Sequence, residues 1–315
     1  GIETVIEGQI VEEGNVAIGA KVFSDIIRKL PSEQVEISVN ENYQLFIKCG
    51  KAKFNIAAKP TDEFPYLPQI VKEKHVEISQ FTLKDIIRQT VFSISDNENT
   101  KVMTGELFEI TANKLKVVSL DGHRISIRNV ELNNSYDNIS VIIPGKTLIE
   151  INKILNGGVD DIVKIYFTDK HILFEFESTV VLSRLIEGEY YKIDKMLSSD
   201  YETKITVNKK EMLDSIDRTT LLMKEAEKKP VIIDIKDNSM GLAMNSSIGS
   251  MDEEIDAVKE GKDILIGFNP RFLIDALRVI DDEEITLYMI NPKAPCFIRD
   301  KDESYIYLIL PVNFN

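Results

Sequence analysis

Two strings in this 315-residue chain carry residue types that could do chemistry. Pro144-Gly145-Lys146-Thr147 follows the apolar run Val141-Ile142-Ile143 and opens a helical segment, the setting of a phosphate-binding loop. The full pattern needs a Gly five residues before Gly145. Ser140 stands there, and an apolar strand cannot cradle a phosphate with its amides. Asp121-Gly122-His123-Arg124, with Ser126 after it, offers an acid, an imidazole and a hydroxyl for nucleophilic catalysis. Adjacent strand residues point to opposite faces, and no third group orients the base. Asp-Gly between 114–120 and 125–130 reads instead as a tight hairpin turn that shapes a surface. His75 and His171 share no ligand spacing with His123, so neither a metal nor a cofactor is expected.

Lys146 has a better explanation than nucleotide binding. Lys21, Asp25 and Arg28 recur 125 residues on as Lys146, Glu150 and Lys153, and again as Arg271, Asp275 and Arg278. Basic, acidic four on and basic seven on place all three side chains along one stripe of a helix. Apolar residues lie between them: Val22, Phe23, Ile26, Ile27 and Leu30; Leu148, Ile151 and Leu155; Phe272, Leu273, Leu277 and Ile280. The expectation is three helices of one design, with an oily face packed inward and a basic face outward. A fixed period sets the architecture. Serial copies that repeat a basic face point to one long polyanion.

Each helix is followed by period-2 alternation, the mark of half-buried strands, over 35–56, 163–184 and 285–312. A second kind of unit opens with a helix (81–94, 209–223) and continues into strands at 106–110 and 114–118, or 231–235 and 240–244. The two kinds alternate over roughly 1–70, 75–132, 139–198, 203–258 and 262–315. An odd count predicts two whole domains and the trailing half of another: 1–72, 73–198 and 199–315. On this reading the sequence is an N-terminal truncation whose first segment is poorly stable. Composition reads as a soluble, cytosolic, multi-domain protein, with 43% apolar residues and no apolar run of bilayer length. Cys49 and Cys296 read as buried thiols of a reducing compartment. The net charge of −14 argues against nucleic acid only if it is evenly spread. Acids crowd the loops and strand ends, as at 281–284, while bases are phased on helices. An acidic rim with a mildly basic lining suits a protein that holds DNA by enclosure, with few phosphate contacts.

The stretch Thr104-Gly105-Glu106-Leu107-Phe108-Glu109, continuing to Leu120-Asp121-Gly122-His123-Arg124-Ile125, closely resembles the bacterial DNA polymerase III beta subunit, the sliding-clamp family. Gly267-Phe268-Asn269 and the closing Leu308-Ile309-Leu310-Pro311-Val312 resemble its last domain. The likeness runs over the whole chain and implies an α+β clamp fold. In that fold, repeated helix-plus-antiparallel-sheet units place helices around a ring and curved sheets outside. Two three-domain chains pair head to tail. Twelve helices at ~10 Å give a circumference of about 120 Å and, less a helix radius per side, an opening of roughly 27 Å. A duplex passes through that. The lining residues implied are Lys21, Arg28, Lys84, Arg88, Lys146, Lys153, Lys209, Lys210, Arg271 and Arg278.

The resemblance also implies a hydrophobic pocket for short linear peptides. Its residues here would be Met103, Leu120, Gly122, His123, Arg124, Ile125, Tyr191, Lys195, Met196, Asn269, Phe272, Leu308, Leu310, Pro311 and Val312. Tyr191 stands where many members have Pro, and Asn313-Phe314 replaces a frequent Arg-Leu ending. The partners implied are double-stranded DNA, a second copy of the chain, the polymerase III catalytic subunit, the clamp loader, and other polymerases and repair proteins. No enzymatic activity, cofactor or membrane is implied. At the dimer contact Ile26, Phe54 and Ile56 would meet Leu222 and Met223 of the other copy, near Lys51, Lys53 and Glu225. Two other readings stay open: a peptide-binding assembly protein that never encloses DNA, and an NTP-dependent enzyme.

Overall fold

A computed structural model describes residues 1–31, 34–223, 229–300 and 302–314. The chain opens on strand β1 (Ile2–Thr4), and residues 5–69 then form a unit of their own. That unit holds β2 (Ala17–Ile18), α1 (Ala20–Lys29), β3 (Val35–Val39), β4 (Gln44–Cys49) and β5 (Ala52–Lys59), in an antiparallel sheet ordered β2-β5-β4-β3. Register pairs Ile37 with Ile47 and Leu45 with Ile56, so the alternating apolar residues share one face. Leu45, Ile47 and Cys49 are buried on it.

Helix α1 departs from expectation. Its stripe is helical, but none of its residues is buried, and Val22 is 54% exposed. The corresponding Leu148, Ile151, Leu273 and Leu277 are fully buried. The reason is packing: those residues sit on helices that have a second helix alongside, whereas α1 is the single helix described in its unit.

The other unit comprises residues 1–4 and 70–315. It continues with β6 (His75–Ser79), α2 (Gln80–Thr90), β7 (Gly105–Leu120), β8 (Arg124–Pro144), α3 (Gly145–Ile154), β9 (Ile162–Phe167), β10 (His171–Phe176) and β11 (Thr179–Arg184). The pattern then repeats as β12 (Thr203–Asn208), α4 (Lys209–Thr220), β13 (Val231–Lys236), β14 (Ser239–Ser246), β15 (Gly249–Gly261), β16 (Ile264–Phe268), α5 (Pro270–Val279), β17 (Glu284–Met289), β18 (Cys296–Arg299) and β19 (Tyr305–Ile309). All ladders are antiparallel, in a five-stranded sheet β1-β11-β10-β9-β6 and a ten-stranded sheet β16-β13-β14-β15-β12-β17-β18-β19-β8-β7. The strands expected at 106–110 and 114–118 are one strand, β7. Its register shifts around Ala112, whose φ of +53° bends the chain without ending the ladder. Helices α2 and α3 close one core with β7, β8 and the five-stranded sheet, and α4 and α5 close a second.

Two seams join the repeats, and they match. Strand β1 pairs Ile2 with Val181 and Glu3 with Val180; 125 residues on, β8 and β19 pair Ile127 with Ile306 and Arg128 with Tyr305. Both ladders run a strand of one domain along the last strand of the next.

Helix ends repeat too. Ser79, Asn208 and Asn269 cap α2, α4 and α5 by accepting from the backbone of Thr82, Glu211 and Arg271. At the other end, Lys84 Nζ donates to the carbonyls of Asn152, in the last turn of α3, and of Leu155, its C-cap, at 3.2 and 2.9 Å. Lys209 Nζ donates to Ile280 at the end of α5, at 2.6 Å. These pairs are again 125 apart, 84 to 209 and 155 to 280. A cation at a helix C-terminus satisfies orphan carbonyls and meets the negative end of the helix dipole. Replacing either lysine by Met keeps the stem and removes the charge. Lys84→Met and Lys209→Met should each lower stability by about 1–2 kcal/mol in urea unfolding; unchanged midpoints would discount the caps.

Glu106 lies fully buried on β7; its Oε2 accepts from Thr90 at 3.0 Å and its Oε1 has no hydrogen-bond partner among the described residues. Burial pushes this carboxyl up to about 8, against the smaller opposing effect of the Thr90 bond. The folded chain therefore keeps a proton that the unfolded chain releases near 4.5. Stability falls as pH rises from there towards about 8 and levels off above it. Glu106→Gln should raise the unfolding temperature more at pH 8 than at pH 5. A gain independent of pH would show that ionisation is not what costs stability there.

Candidate functional site

Around the β8–β19 seam an apolar cluster forms apart from the two main cores. Leu107, Val118, Leu120, Ile125, Ile127, Ile142, Ile186, Tyr190, Ile193, Phe297 and Leu308 are buried in it, with Met103 partly buried against them. The ladder places Leu308 opposite Ile125, while Met103 arrives from the 3-10 turns that precede β7. Tyr190 anchors the segment after β11, donating from its hydroxyl towards the Val118 carbonyl at 3.2 Å. Of the residues expected to form an apolar floor, Met103, Leu120, Ile125 and Leu308 are brought together. Leu107, Val118, Ile142, Ile186, Tyr190 and Ile193 complete that floor and were not anticipated.

Beside it, the β7–β8 turn makes a polar hub. Asp121 Oδ1 accepts from the backbone of His123 and Arg124 at 2.9 and 3.1 Å. This closes the turn, and Gly122 takes a φ of +89° within it. Arg124 is 8% exposed and spends three donors: Nε to Asp121 at 3.0 Å, Nη1 to Asp275 at 2.6 Å and Nη2 to the Phe92 carbonyl at 2.6 Å. Its guanidinium lies 4.2 Å from the Phe272 ring centroid, and Phe272 stacks on His123 at 6.2 Å. Burial opposes this charge, but Tyr307, Asp275 and Asp121 outweigh it and raise the guanidinium above its usual range. Asn269 positions Phe272 by capping α5, and Tyr307 donates to the Phe272 carbonyl at 2.8 Å.

The chain after β19 stays against this hub. Leu310 N donates to His123 at 2.9 Å, and Val312 N to Gly267 at 2.9 Å, with Pro311 half-buried between them. Leu310 and Val312 are more than one-third exposed, and Met196 and Tyr191 about half exposed. Lys195 and Met196 sit in the exposed turn Asp194–Met196, tied by Met196 N to Ile193. Tyr191 also lines a cavity of about 670 Å³ that shares Leu107, Ile142, Ile186, Tyr190 and Ile193 with the apolar cluster and is edged by Lys116, Asp169 and Glu187.

Neither sequence string forms a catalytic or nucleotide site in this arrangement. Val141–Pro144 stay within the ladder, Pro144 opposite Gly105, so no loop of free amides precedes α3. A Cβ on Gly145 would meet Ile94 at 2.2 Å, which explains that glycine by packing. Ser126 is buried and bonded to Ser93 at 2.7 Å, away from any base.

The stripe cations are mostly engaged. Lys84 and Lys209, expected to face a polyanion, serve as helix caps instead. Arg88 donates to the Val279 carbonyl at 3.0 Å and pairs with Asp85 and Asp281. Lys153 pairs with Glu150 at 2.8 Å, Lys210 with Asp214 at 2.6 Å and Arg278 with Asp217 at 3.5 Å. Lys146 is 93% exposed and reaches Glu98 only at 3.9 Å. No ion pair to Arg271 occurs among the described residues. In the first unit Lys21 and Arg28 are exposed on α1.

The remaining expected residues are surface ones. Phe54 is 38% exposed, Ile26 and Ile56 are half-buried, and Lys51 and Lys53 are exposed. Leu222 and Met223 pack partly against the core under α4, next to Leu221, which is 77% exposed. Glu225 lies outside the described residues. No helix among the described residues is long and apolar enough to cross a membrane.

Comparison with known proteins agrees along the chain. Residues 1–68, 77–192 and 194–313 match the N-terminal, central and C-terminal domain models of the DNA polymerase III beta subunit. The beta sliding clamp of Staphylococcus aureus is 35% identical over 306 residues, 96% of this chain and 81% of that protein. The solved DNA polymerase sliding clamp of Bacillus subtilis superposes with a TM-score of 0.91 at 35% identity, covering 100% of this chain and 86% of that one. A solved chain from Eubacterium rectale is 61% identical, with a TM-score of 0.92 over 99% of this chain and 86% of its own. With its α+β clamp fold of helices against antiparallel sheets, the chain belongs to the DNA polymerase III beta subunit family, the sliding clamps.

Proposed function

We propose that this chain acts as a non-catalytic processivity clamp. It pairs head to tail with a second copy, encloses double-stranded DNA without reading its sequence, and offers the cluster beside the β8–β19 seam to short peptides. The peptides would come from the polymerase III catalytic subunit, the clamp loader, other polymerases and repair proteins. Residues 1–72, 73–198 and 199–315 are its successive clamp domains.

The matched register of the two seams carries this reading. A third seam follows from the same 125-residue step: one step on from Ile127, and with the last strand taken from the first repeat, Asp252 would face Ile56 of a second copy. Both edges fit the role. Residues 249–253 of β15 pair with β14 alone, and residues 53–57 of β5 pair with β4 alone, among the described residues. Phe54 and Ile56 lie on the second edge, and Leu222 lies within 3.5 Å of a Cβ built on Gly249 at the first. Unpaired edges invite pairing with another chain, and a repeated head-to-tail contact closes into a ring when its rotation allows.

The peptide reading rests on the floor of Met103, Leu120, Ile125 and Leu308 beneath the exposed Met196, Leu310 and Val312. A few apolar anchors beside a buried arginine suit a short degenerate motif. Titration of a short polymerase-tail peptide should give an affinity at least tenfold weaker for Met196→Asp. An unchanged affinity would remove the pocket assignment.

Enclosure predicts that the protein stays on closed circular duplex and leaves when the circle is linearised. Loss from closed circles at the same rate would favour an assembly protein that only binds peptides. The stripe makes a finer prediction. Lys146→Ala and Arg271→Ala should each reduce the salt dependence of duplex binding by about one phosphate contact. Lys84→Met should leave that slope alone.

A further inference from the structure

Helices α3 and α5 carry the same basic–acidic–basic stripe, yet their central acids are used differently. Glu150 pairs within its own stripe, with Lys153 at 2.8 Å. Asp275 leaves its stripe and accepts from Arg124 Nη1 at 2.6 Å. One carboxylate thus belongs to two surfaces. Its partner Arg124 forms the wall of the apolar patch against Phe272 and His123. Its neighbours on the helix are Arg271, four residues before, and Arg278, three after.

We propose that Asp275 couples the two surfaces: an acidic peptide group that engages Arg124 releases Asp275 to pair with Arg271 or Arg278, so acidic peptides and duplex DNA oppose each other's binding. This rests on the peptide and DNA reading above. Three observations support it. Arg124 spends three of its five N–H donors on Asp121, Asp275 and Phe92 and a further one towards the Tyr307 hydroxyl, so an incoming carboxylate gains a full ion pair there only by taking the place of an existing acceptor, and Asp275 is the most exposed of its carboxylates. A third carboxylate at a guanidinium that already holds Asp121 and Asp275 divides its attraction and repels both. Asp275 is not locked in place, since its side chain is 37% exposed against 9% for Arg124. Spacings of three and four residues put it within reach of both stripe arginines. Arg271 has no competing acid among the described residues, and Arg278 reaches Asp217 only at 3.5 Å. Once Asp275 turns to them, about one cation is withdrawn from phosphate contact. Linkage makes the effect reciprocal: duplex phosphates on Arg271 and Arg278 favour Asp275 at Arg124 and so oppose the acidic peptide.

The experiment is fluorescence anisotropy on the whole chain at low salt. The probes are a labelled peptide with two apolar anchors and one Asp, and its Asn counterpart, each with and without saturating 20-base-pair duplex. In the wild type, duplex should weaken the Asp peptide about fivefold and leave the Asn peptide unchanged. In Asp275→Asn the duplex effect should vanish. A duplex effect equal for both peptides, absent from both, or retained in Asp275→Asn overturns the coupling. Failure of either peptide to bind the wild type would instead sink the pocket reading, and the coupling with it. The wild-type comparison needs no variant, so poor folding of Asp275→Asn cannot shield the proposal.

Discussion

Where β8 lies along β19, each strand supplies hydrogen-bond partners that the other's edge would otherwise lack. The residues in that ladder, Arg124–Arg128 against Tyr305–Ile309, are nearly all buried, so their backbone groups could not turn to water instead. The apolar cluster is built on this ladder, because Ile125 and Leu308 meet across it. The Arg124 hub depends on it as well, since the strand that begins at Arg124 is the strand held by β19. A slip of one residue would turn Ile125 and Leu308 to the opposite face. Three devices fix the register: Leu310 N on His123, Tyr307 on the Phe272 carbonyl, and Arg124 on Asp275.

The same economy appears at the helices. The carbonyls that end α3 and α5 are met by Lys84 from the second turn of α2 and Lys209 from the first residue of α4, so each helix pair is closed by a charge. Arg88 and Gln89 extend this by donating to Val279, which ties α2 of one repeat to the end of α5 in the next. These bonds use cations that a count of surface charge would assign to a ligand. Placement at a helix terminus fixes their task.

Much of this was legible in the chain. Spacing of 125 residues and period-2 alternation announced repeated helices and antiparallel strands, because burial writes both patterns directly into residue type. Asp121-Gly122 announced its turn for the same local reason. The uses of Lys84, Lys209 and Asp275 were not legible. Each depends on a partner 68 to 151 residues away, and nothing in a lysine's neighbours distinguishes a cap from a free cation. Two of them do carry a signal in the chain: Lys84 with Leu155 repeats as Lys209 with Ile280, at the same 125-residue step as the stripes. The exposed apolar face of α1 was missed because amphipathic spacing states which face wants cover, not whether cover is present.

Charge accounting then limits how DNA could be held. The chain carries −14 overall, and its stripe cations in the larger unit are occupied by carbonyls or acids, apart from Arg271 and the loosely paired Lys146. Few free cations mean little counterion release on binding, hence weak intrinsic affinity with a shallow dependence on salt. A protein that must stay on DNA under those terms cannot rely on adhesion. On the proposed enclosure, retention comes from topology, which places the demand on strand edges rather than on basic residues. Tight phosphate contacts would, conversely, add friction to sliding, so a lining that is mostly self-neutralised suits a ring that moves.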